Sequence, residues 1–408
     1  GDYEAADTLF TESKEVPFTG FVAGRAYTYS PKSSITRVGN TVTLTEAGTL
    51  SKAISTTEKD TITSLKIIGP LNGDDIRFIR EMAGRDVNGN ETTGKLTYLD
   101  ISEASIVAGG GYYYLGEGQS ECWAYDNNLG QYMFSATILN KILLPVSITL
   151  IGDCAFNSCT SLTDIIIPDG VIRIGGHAFR DCTELSDVKI GNNVTEIRYA
   201  AFLGCSSLIN INIPNSVTFI EDFAFSECTS LKNITLPNNV TVIGMGAFQK
   251  SALTSIDLPD NITSIAEQTF YGCSSLTTIE IPESVTSIGR IAFNDCQSLT
   301  EVTSLAVTPP TLGDGVFSNI ASSATLNVPS GTYSAYMASD WAQYFTTIDD
   351  GEEHGSYENG VATVVTAGTL STLIPEEEKY TITTLKVVGP LNGDDIRFIR
   401  EMAGRDVY

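Results

Sequence analysis

Eight cysteines and two histidines are the side chains of this 408-residue chain best suited to metal, redox or nucleophilic chemistry. Zinc needs about four ligands converging on one point, most often delivered by CxxC or CxxH pairs. No CxxC occurs, and His177 and His354 are isolated. A reactive thiolate needs a basic neighbour to lower its pKa, and neither histidine recurs beside the cysteines. Pairing as disulfides is the third chemistry, since even cysteine counts are common in exported proteins.

The spacing bears on all three. Six cysteines fall at 159, 182, 205, 228, 273 and 296, and Ser251 stands near the one skipped place, in "GAFQKSAL". Cysteines carried one per coil on a regular scaffold point in parallel, which disfavours the torsion of roughly 90° that a disulfide requires. They read as buried, reduced thiols acting as small hydrophobes. Cys122 and Cys154 lie outside the series and form the pair to consider if any forms. No catalytic residue, metal ligand or cofactor site is assigned, and the chain reads as a non-enzyme.

The elements that carry these positions repeat with them. Phenylalanines stand at 156, 179, 202, 225, 248, 270 and 293, and leucines at 162, 185, 208, 231, 253, 276 and 299. Prolines follow at 168, 214, 237, 259 and 282, with Gly191 substituting once. In "LTTIEI" the residues Leu276, Ile279 and Ile281 suit the inward side of a leucine-rich strand. Pro282 then removes a backbone donor and turns the chain. "SVTSIG" offers a second extended piece with Val285 and Ile288 inward, and "RIAFNDC" turns back with Ala292 and Phe293 in the core. One coil cannot bury its own apolar face, so neighbours must stack. The predicted fold is a repeat solenoid, mainly β with short helical turns: a right-handed leucine-rich repeat array of 23-residue coils with α/β end caps. Seven coils at strand spacing give a body on the order of 33 Å long.

Around the array, residues 1–40 form an unassigned amino-terminal extension. Residues 41–137 read as a cap in which "GDDIRFIREMAGRD" is a helix between two leucine-rich strands. Its apolar face is Ile76, Phe78, Ile79 and Met82, and Gly84 ends it. The loop "AGGGYYYLGEGQSECWAYDNN" lacks the lysine-bearing pattern of a phosphate cradle and reads as structural, with a sugar or protein contact patch as the alternative. The repeats occupy 138–323. A closing cap follows at 324–348, with Tyr336, Trp341 and Phe345 at helical spacing. Residues 349–360 read as a solvated acidic linker, with weak calcium binding as the sharper alternative. The last segment, 361–408, is a partial second copy of the first cap: "GPLNGDDIRFIREMAGRDV" occurs at 69–87 and again at 389–407. It is expected to dock on a neighbour, another copy included, or to be less ordered than the rest.

Charge narrows the partners. With 24 basic against 49 acidic residues the net charge is −25, which repels phosphate backbones and anionic lipid. Nucleic acid is therefore excluded as a partner. No apolar run is long enough to span a bilayer, and Gly1 reads as the start of a mature or trimmed form.

The unit "IPNSVTFIEDFAFSECTSL" and its sisters resemble the BspA-type leucine-rich repeats, known also from treponemes, over about 138 to 320. The flanks "NGDDIRFIREMAGRD…LTYLDIS" and "VPSGTYSAY…W" resemble those of such proteins in Bacteroides-like gut and oral bacteria. The resemblance implies a secreted or surface-anchored protein, exported with a signal peptide not present in this chain, and adhesion, matrix-protein binding or co-aggregation as the activity. It supplies no catalytic residues. The function expected is an extracellular binding or adhesion module with a protein or glycan ligand; a structural spacer is the alternative. Candidate contact residues are those projecting from the first strand of each coil: Asp164, Asp187, Lys189, Asn210, Asn212, Lys232, Asn233, Asp257, Thr278 and Glu280.

Overall fold

The computed structural model describes residues 35–116, 120–365 and 367–404. The extension expected over 1–40 lies almost wholly outside them. In each repeat the leucine and the two residues that alternate with it turn inward, leaving the intervening positions to solvent. The result is a short strand with an exposed–buried–exposed pattern, as in Asp187–Lys189, Asn210–Asn212 and Asn233–Thr235. Strands one coil apart pair in parallel, Asp164 opposite Asp187 and Asn210 opposite Asn233. This first ladder starts in the amino-terminal cap, where Thr41–Thr43, Ser64–Leu71, Tyr98–Asp100 and Lys141–Leu143 lead into Asp164–Ile166.

After the proline turn a second ladder forms from two-residue strands. Leu150–Ile151, Arg173–Ile174, Glu196–Ile197, Phe219–Ile220 and Val242–Ile243 pair in register. The inward residues expected of "SVTSIG", Val285 and Ile288, are both buried.

The third side is the phenylalanine turn. Rings one coil apart stack nearly parallel, with centroids 5.1 Å apart between Phe179 and Phe202 and 5.8 Å between Phe225 and Phe248. The stack is longer by one ring at each end than the seven-membered series of the sequence, because Phe134 and Phe317 join it. Trp341 closes it, 5.3 Å from Phe317. Each turn needs left-handed backbone, supplied by glycine in places such as Gly246 and otherwise by non-glycine residues: Phe223 has φ +57 and Ile291 φ +48. Such residues cost roughly 1–2 kcal/mol each, offset by burying a whole aromatic ring.

Both ladders break at the short repeat. Residues 254–258 form no strand, and the second ladder stops at Val242–Ile243 to resume at Ser264–Ile265. With one residue fewer between Phe248 and Leu253, the strand cannot reach the register of its neighbours; Thr254 N lies 3.5 Å from Lys232 O. The turn side continues unbroken, Phe248 N donating to Thr269 O at 2.9 Å. The first ladder also lacks strand pairing between Lys189 and Asn210.

In the amino-terminal cap the helix is Gly73–Met82. Asn72 accepts from the Asp74 and Asp75 backbone N–H groups while the Asp75 carboxylate accepts from Asn72 N, a reciprocal capping box. Ile76, Ile79 and Met82 are fully buried as expected, but Phe78 is only half-buried and Arg80 enters the core in its stead. A hairpin strand, Thr36–Val38, precedes the expected start of this cap, and its counterpart Ser356–Glu358 precedes the second copy.

Two expectations at the carboxyl end need correcting. Helical spacing of Tyr336, Trp341 and Phe345 suggested one helix. Instead a five-residue helix, Tyr333–Met337, is followed by a 3-10 turn, Asp340–Gln343, which Ser339 starts by accepting from Trp341 N. The acidic 349–360 stretch is not simply solvated. Asp350 is buried, accepts from the Gly331 and Glu352 backbones, and pairs with His354 Nε2 at 2.6 Å. His354 stacks on Tyr333 at 3.8 Å.

Candidate binding surface

All eight cysteines are buried and none forms a disulfide, Cys122 and Cys154 included. The six of the series do something that spacing alone did not reveal. Each Sγ faces the carbonyl oxygen of the phenylalanine in the preceding coil: Cys159 to Phe134 at 3.0 Å, Cys205 to Phe179 at 3.1 Å, Cys296 to Phe270 at 3.2 Å. The thiol thus satisfies a carbonyl that the ring stack has closed off from water. Burial pushes Cys159 and Cys273 up to about 11 and Cys228 up to about 12. At neutral pH these groups are proton donors, not nucleophiles.

Other titratable groups are similarly engaged. Burial lowers the His177 pKa first, assisted by Arg180, and its ring sits edge-on to Tyr199. Among the described residues no group of three or more His, Cys, Asp or Glu side chains converges as a metal site. Asp350, central to the calcium alternative, is already bonded as described above.

The glycines and tyrosines of the cap loop are mostly committed to packing. Gly73 N donates to Gly109 O at 3.0 Å and Gly111 N donates to Asp74 Oδ1 at 3.1 Å, so the triplet lies on the start of the cap helix. Tyr113 is buried and its hydroxyl donates to Gln131 O at 2.8 Å. The Arg80 guanidinium sits 4.7 Å from the Tyr114 ring centroid. Only Trp123, with Tyr112 edge-on at 6.0 Å, and Tyr125 offer aromatic surface outward. Residues 117–119 of this loop lie outside the described residues.

The ten candidate contact residues occupy the outer side of the first ladder, though not as one uninterrupted strip. Asp187, Lys189, Asn210, Asn212, Lys232, Asn233, Thr278 and Glu280 are exposed; Asp164 is half-buried and bound to Lys141 at 2.8 Å. Asn233 Nδ2 donates to Asn210 Oδ1 at 3.2 Å, stiffening two coils into a common surface. Asp257 differs from the expectation: it is exposed but stands in the unpaired segment 254–258, so no strand aims it.

The first ladder and its flank expose Ile166 and Ile209, and the second adds aromatic surface. Phe219 and Val242, directly paired in register, are both exposed, and Tyr199 is exposed beside them. Tyr199 is held edge-on to Phe223 at 5.9 Å, and its backbone N–H donates to Glu221 Oε2 at 2.7 Å. Tyr199, Phe219, Glu221, Asp222 and Val242 together line one shallow depression. The rest of this face is mixed, with Arg173, Glu196, Ser264 and Ser287 in the strands, Ile172 exposed, and several threonines beside them. Hydroxyls of Thr241, Thr286 and Thr311 each donate to the carbonyl one coil back at 3.2–3.3 Å. The sequence signal for the patch was Phe219 and Val242 at the position where most coils carry a polar residue.

The repeat model described as "BspA type Leucine rich repeat region" matches residues 127–253 and 241–339, in six copies. The chain belongs to the BspA-type leucine-rich repeat family. Solved structures similar to it include a leucine-rich repeat protein of T. pallidum, 32% identical, with 48% of this chain and 87% of that one covered and a TM-score of 0.39. A leucine-rich repeat protein of Bacteroides ovatus is 19% identical over 79% of this chain and 88% of that one, with a TM-score of 0.45. A leucine rich cell surface protein of Faecalibacterium prausnitzii is 25% identical over 72% and 78%, with a TM-score of 0.35. Among curated proteins none matches. No helix among the described residues is long and apolar enough to cross a membrane.

Proposed function

We propose that this chain is a non-enzymatic binding module working outside the cell or on its surface, which holds a protein partner against the outer faces of the solenoid. The observation that carries the proposal is the Tyr199–Phe219–Val242 patch. Exposed aromatic and aliphatic groups locked on a rigid ladder, rimmed by Glu221 and Asp222, have the composition of an interface anchor. The first-ladder residues, from Asp164 to Glu280, supply a polar face that steers approach rather than anchors it. Family membership supports the extracellular placement.

The test is a screen of the purified chain against matrix proteins and immobilised glycans, followed by variants. For a protein that binds, Phe219→Ala with Val242→Ala should weaken affinity at least tenfold. Charge reversal at Asp187, Asp257 and Glu280 should mainly alter the association rate and its salt dependence. An affinity untouched by the patch variants would remove the anchor from this account. A structural spacer is the second reading, favoured by the repeated cap; uniformly absent binding would leave it standing. A glycan ligand would shift attention to Tyr112, Trp123 and Tyr125.

A further inference from the structure

The second cap presents a surface whose complement is already visible elsewhere in the same molecule. Residues 389–407 repeat 69–87 without a change, and both copies fold the same helix, Gly73–Met82 and Gly393–Met402, with the same capping box. In the first copy Leu71, Ile76, Ile79 and Met82 are all 0% exposed. In the second, Leu391 is 40% and Ile396 48% exposed, and Ile399 and Met402 are half-buried.

What covers the first copy is specific. Strand Ser64–Leu71 pairs in parallel with Tyr98–Asp100 through its first half and with Ala104–Ile106 through its second. Those strands bring Leu99, Ile101 and Ile106 onto the helix and sheet. Arg80 Nη1 then reaches the carbonyls of Tyr132 at 2.9 Å and Met133 at 3.2 Å in the next turn. In the second copy the corresponding strand has shrunk to Lys386–Val388. It pairs only with Val361–Thr363 and, among the described residues, leaves its other edge open. Arg400 is exposed.

We infer that the second cap is a docking surface for the uncapped first coil of a leucine-rich array. That partner has an L-x-x-L-x-I strand for the open edge of 384–391, then a second short strand, then a turn whose carbonyls take the Arg400 guanidinium. Open parallel edges are completed by an added strand, with main-chain bonds giving affinity and alternate side chains giving selection. A second complete copy of this chain does not meet the description, because its own first cap occupies the only such coil. Swapping one cap for another would exchange nearly the same contacts, Ile67 and Ile68 giving way to the smaller Val387 and Val388, and gain little. The inference stands apart from the binding proposal, since it concerns a different end of the molecule.

A cysteine placed at Ile396 reports on this surface, because the eight native thiols are buried. In the chain as it exists, Ile396→Cys should alkylate under native conditions within about tenfold of a free thiol, while Ile76→Cys should stay protected. When Tyr408 is replaced by a second copy of residues 88–350, labelling at Ile396→Cys should slow at least 100-fold. Unchanged labelling, with the added array's own thiols protected, overturns the inference. Labelling of the unextended chain that slows as protein concentration rises would make a second copy the occupant and overturn it too. If the added array fails to fold, amide exchange of the unextended chain still decides. Segment 384–391, told from 64–71 by Val387 and Val388, should exchange at least 100-fold faster than its twin, and equal protection would refute the open edge.

Discussion

One sequence of 19 residues occurs twice in this molecule and meets two environments. At 69–87 it is sealed by the strands and turns that follow it; at 389–407 its helix keeps its caps and buries Phe398, but Leu391 and Ile396 face outward and Ile399 and Met402 are only half-buried. The helix is the same in both, so it is written locally, by Asn72 and Asn392 and their capping boxes. The strand is not. Ser64–Leu71 runs for eight residues and Lys386–Val388 for three, because a strand's length depends on what pairs beside it.

The largest break in that comparison should come from Ile76→Ala, which opens a cavity in a closed core and costs about 3 kcal/mol, against about 0.5 kcal/mol or less for Ile396→Ala. Amide exchange at 64–71 and 384–391 reads the two separately. Next is Arg80→Met, which removes the guanidinium bonds to the Tyr132 and Met133 carbonyls and should cost about 2 kcal/mol, while Arg400→Met is nearly silent. Burial holds Arg80 down to about 10, so it is still charged at neutral pH.

Glycine should reverse the sign of the effect. A Cβ at Gly73 would stand 1.9 Å from Gly111 O, whereas at Gly393 it meets nothing within 4 Å. Gly73→Ala should therefore destabilise its cap by about 1–3 kcal/mol, and Gly393→Ala should stabilise the other by about 0.5–1 kcal/mol, both measurable as shifts in denaturant midpoint.

The smallest difference is in acid. Asp75 and Asp395 each accept from three backbone N–H groups, and each is 1% exposed. Around Asp75 the protein extends on all sides, and desolvation raises its pKa despite the bonds from Gly48, Leu50 and Asn72. Around Asp395 solvent begins just past the first contacts; desolvation still pushes upward, but the donors Asn392, Leu370 and Gly368 together outweigh it and the pKa falls. The stability Asp395 contributes is present above the ordinary carboxylate value of about 4 and lost as pH drops through its lowered pKa. Asp75 works the other way, favouring the folded cap more as pH falls through its raised pKa. Exchange measured from pH 6 down to pH 3 should show the second cap weakening relative to the first.

Much of the array could be read from residue order, because a 23-residue period fixes which side chains stack on which. Leu162, Phe179 and Ile211 are buried where their place in the unit puts them. What the period could not show was function that crosses coils. The Cys205 bond to the Phe179 carbonyl joins residues 26 positions apart. The Phe219–Val242 patch arises from two unremarkable residues set side by side by register. Arg80 was missed because a charge on a helix next to buried isoleucines looks solvated until a later turn supplies carbonyls. Asp257 was misplaced because a period averages over the one unit that violates it.

That short unit has a mechanical consequence. Pulled from its ends, a stack of coils distributes load over every ladder that joins neighbours. Between Val242 and Ser264 no strand pairing is found among the described residues; turn-side bonds such as Phe248 N to Thr269 O, one Asn261 Nδ2 to Asn238 O bond and a weak Thr254 contact bridge the two halves. The stack should yield there first, as an early, low-force step in single-molecule extension that splits the array into two blocks. Inserting one residue between Phe248 and Leu253, to restore the common length, should merge that step with the rest.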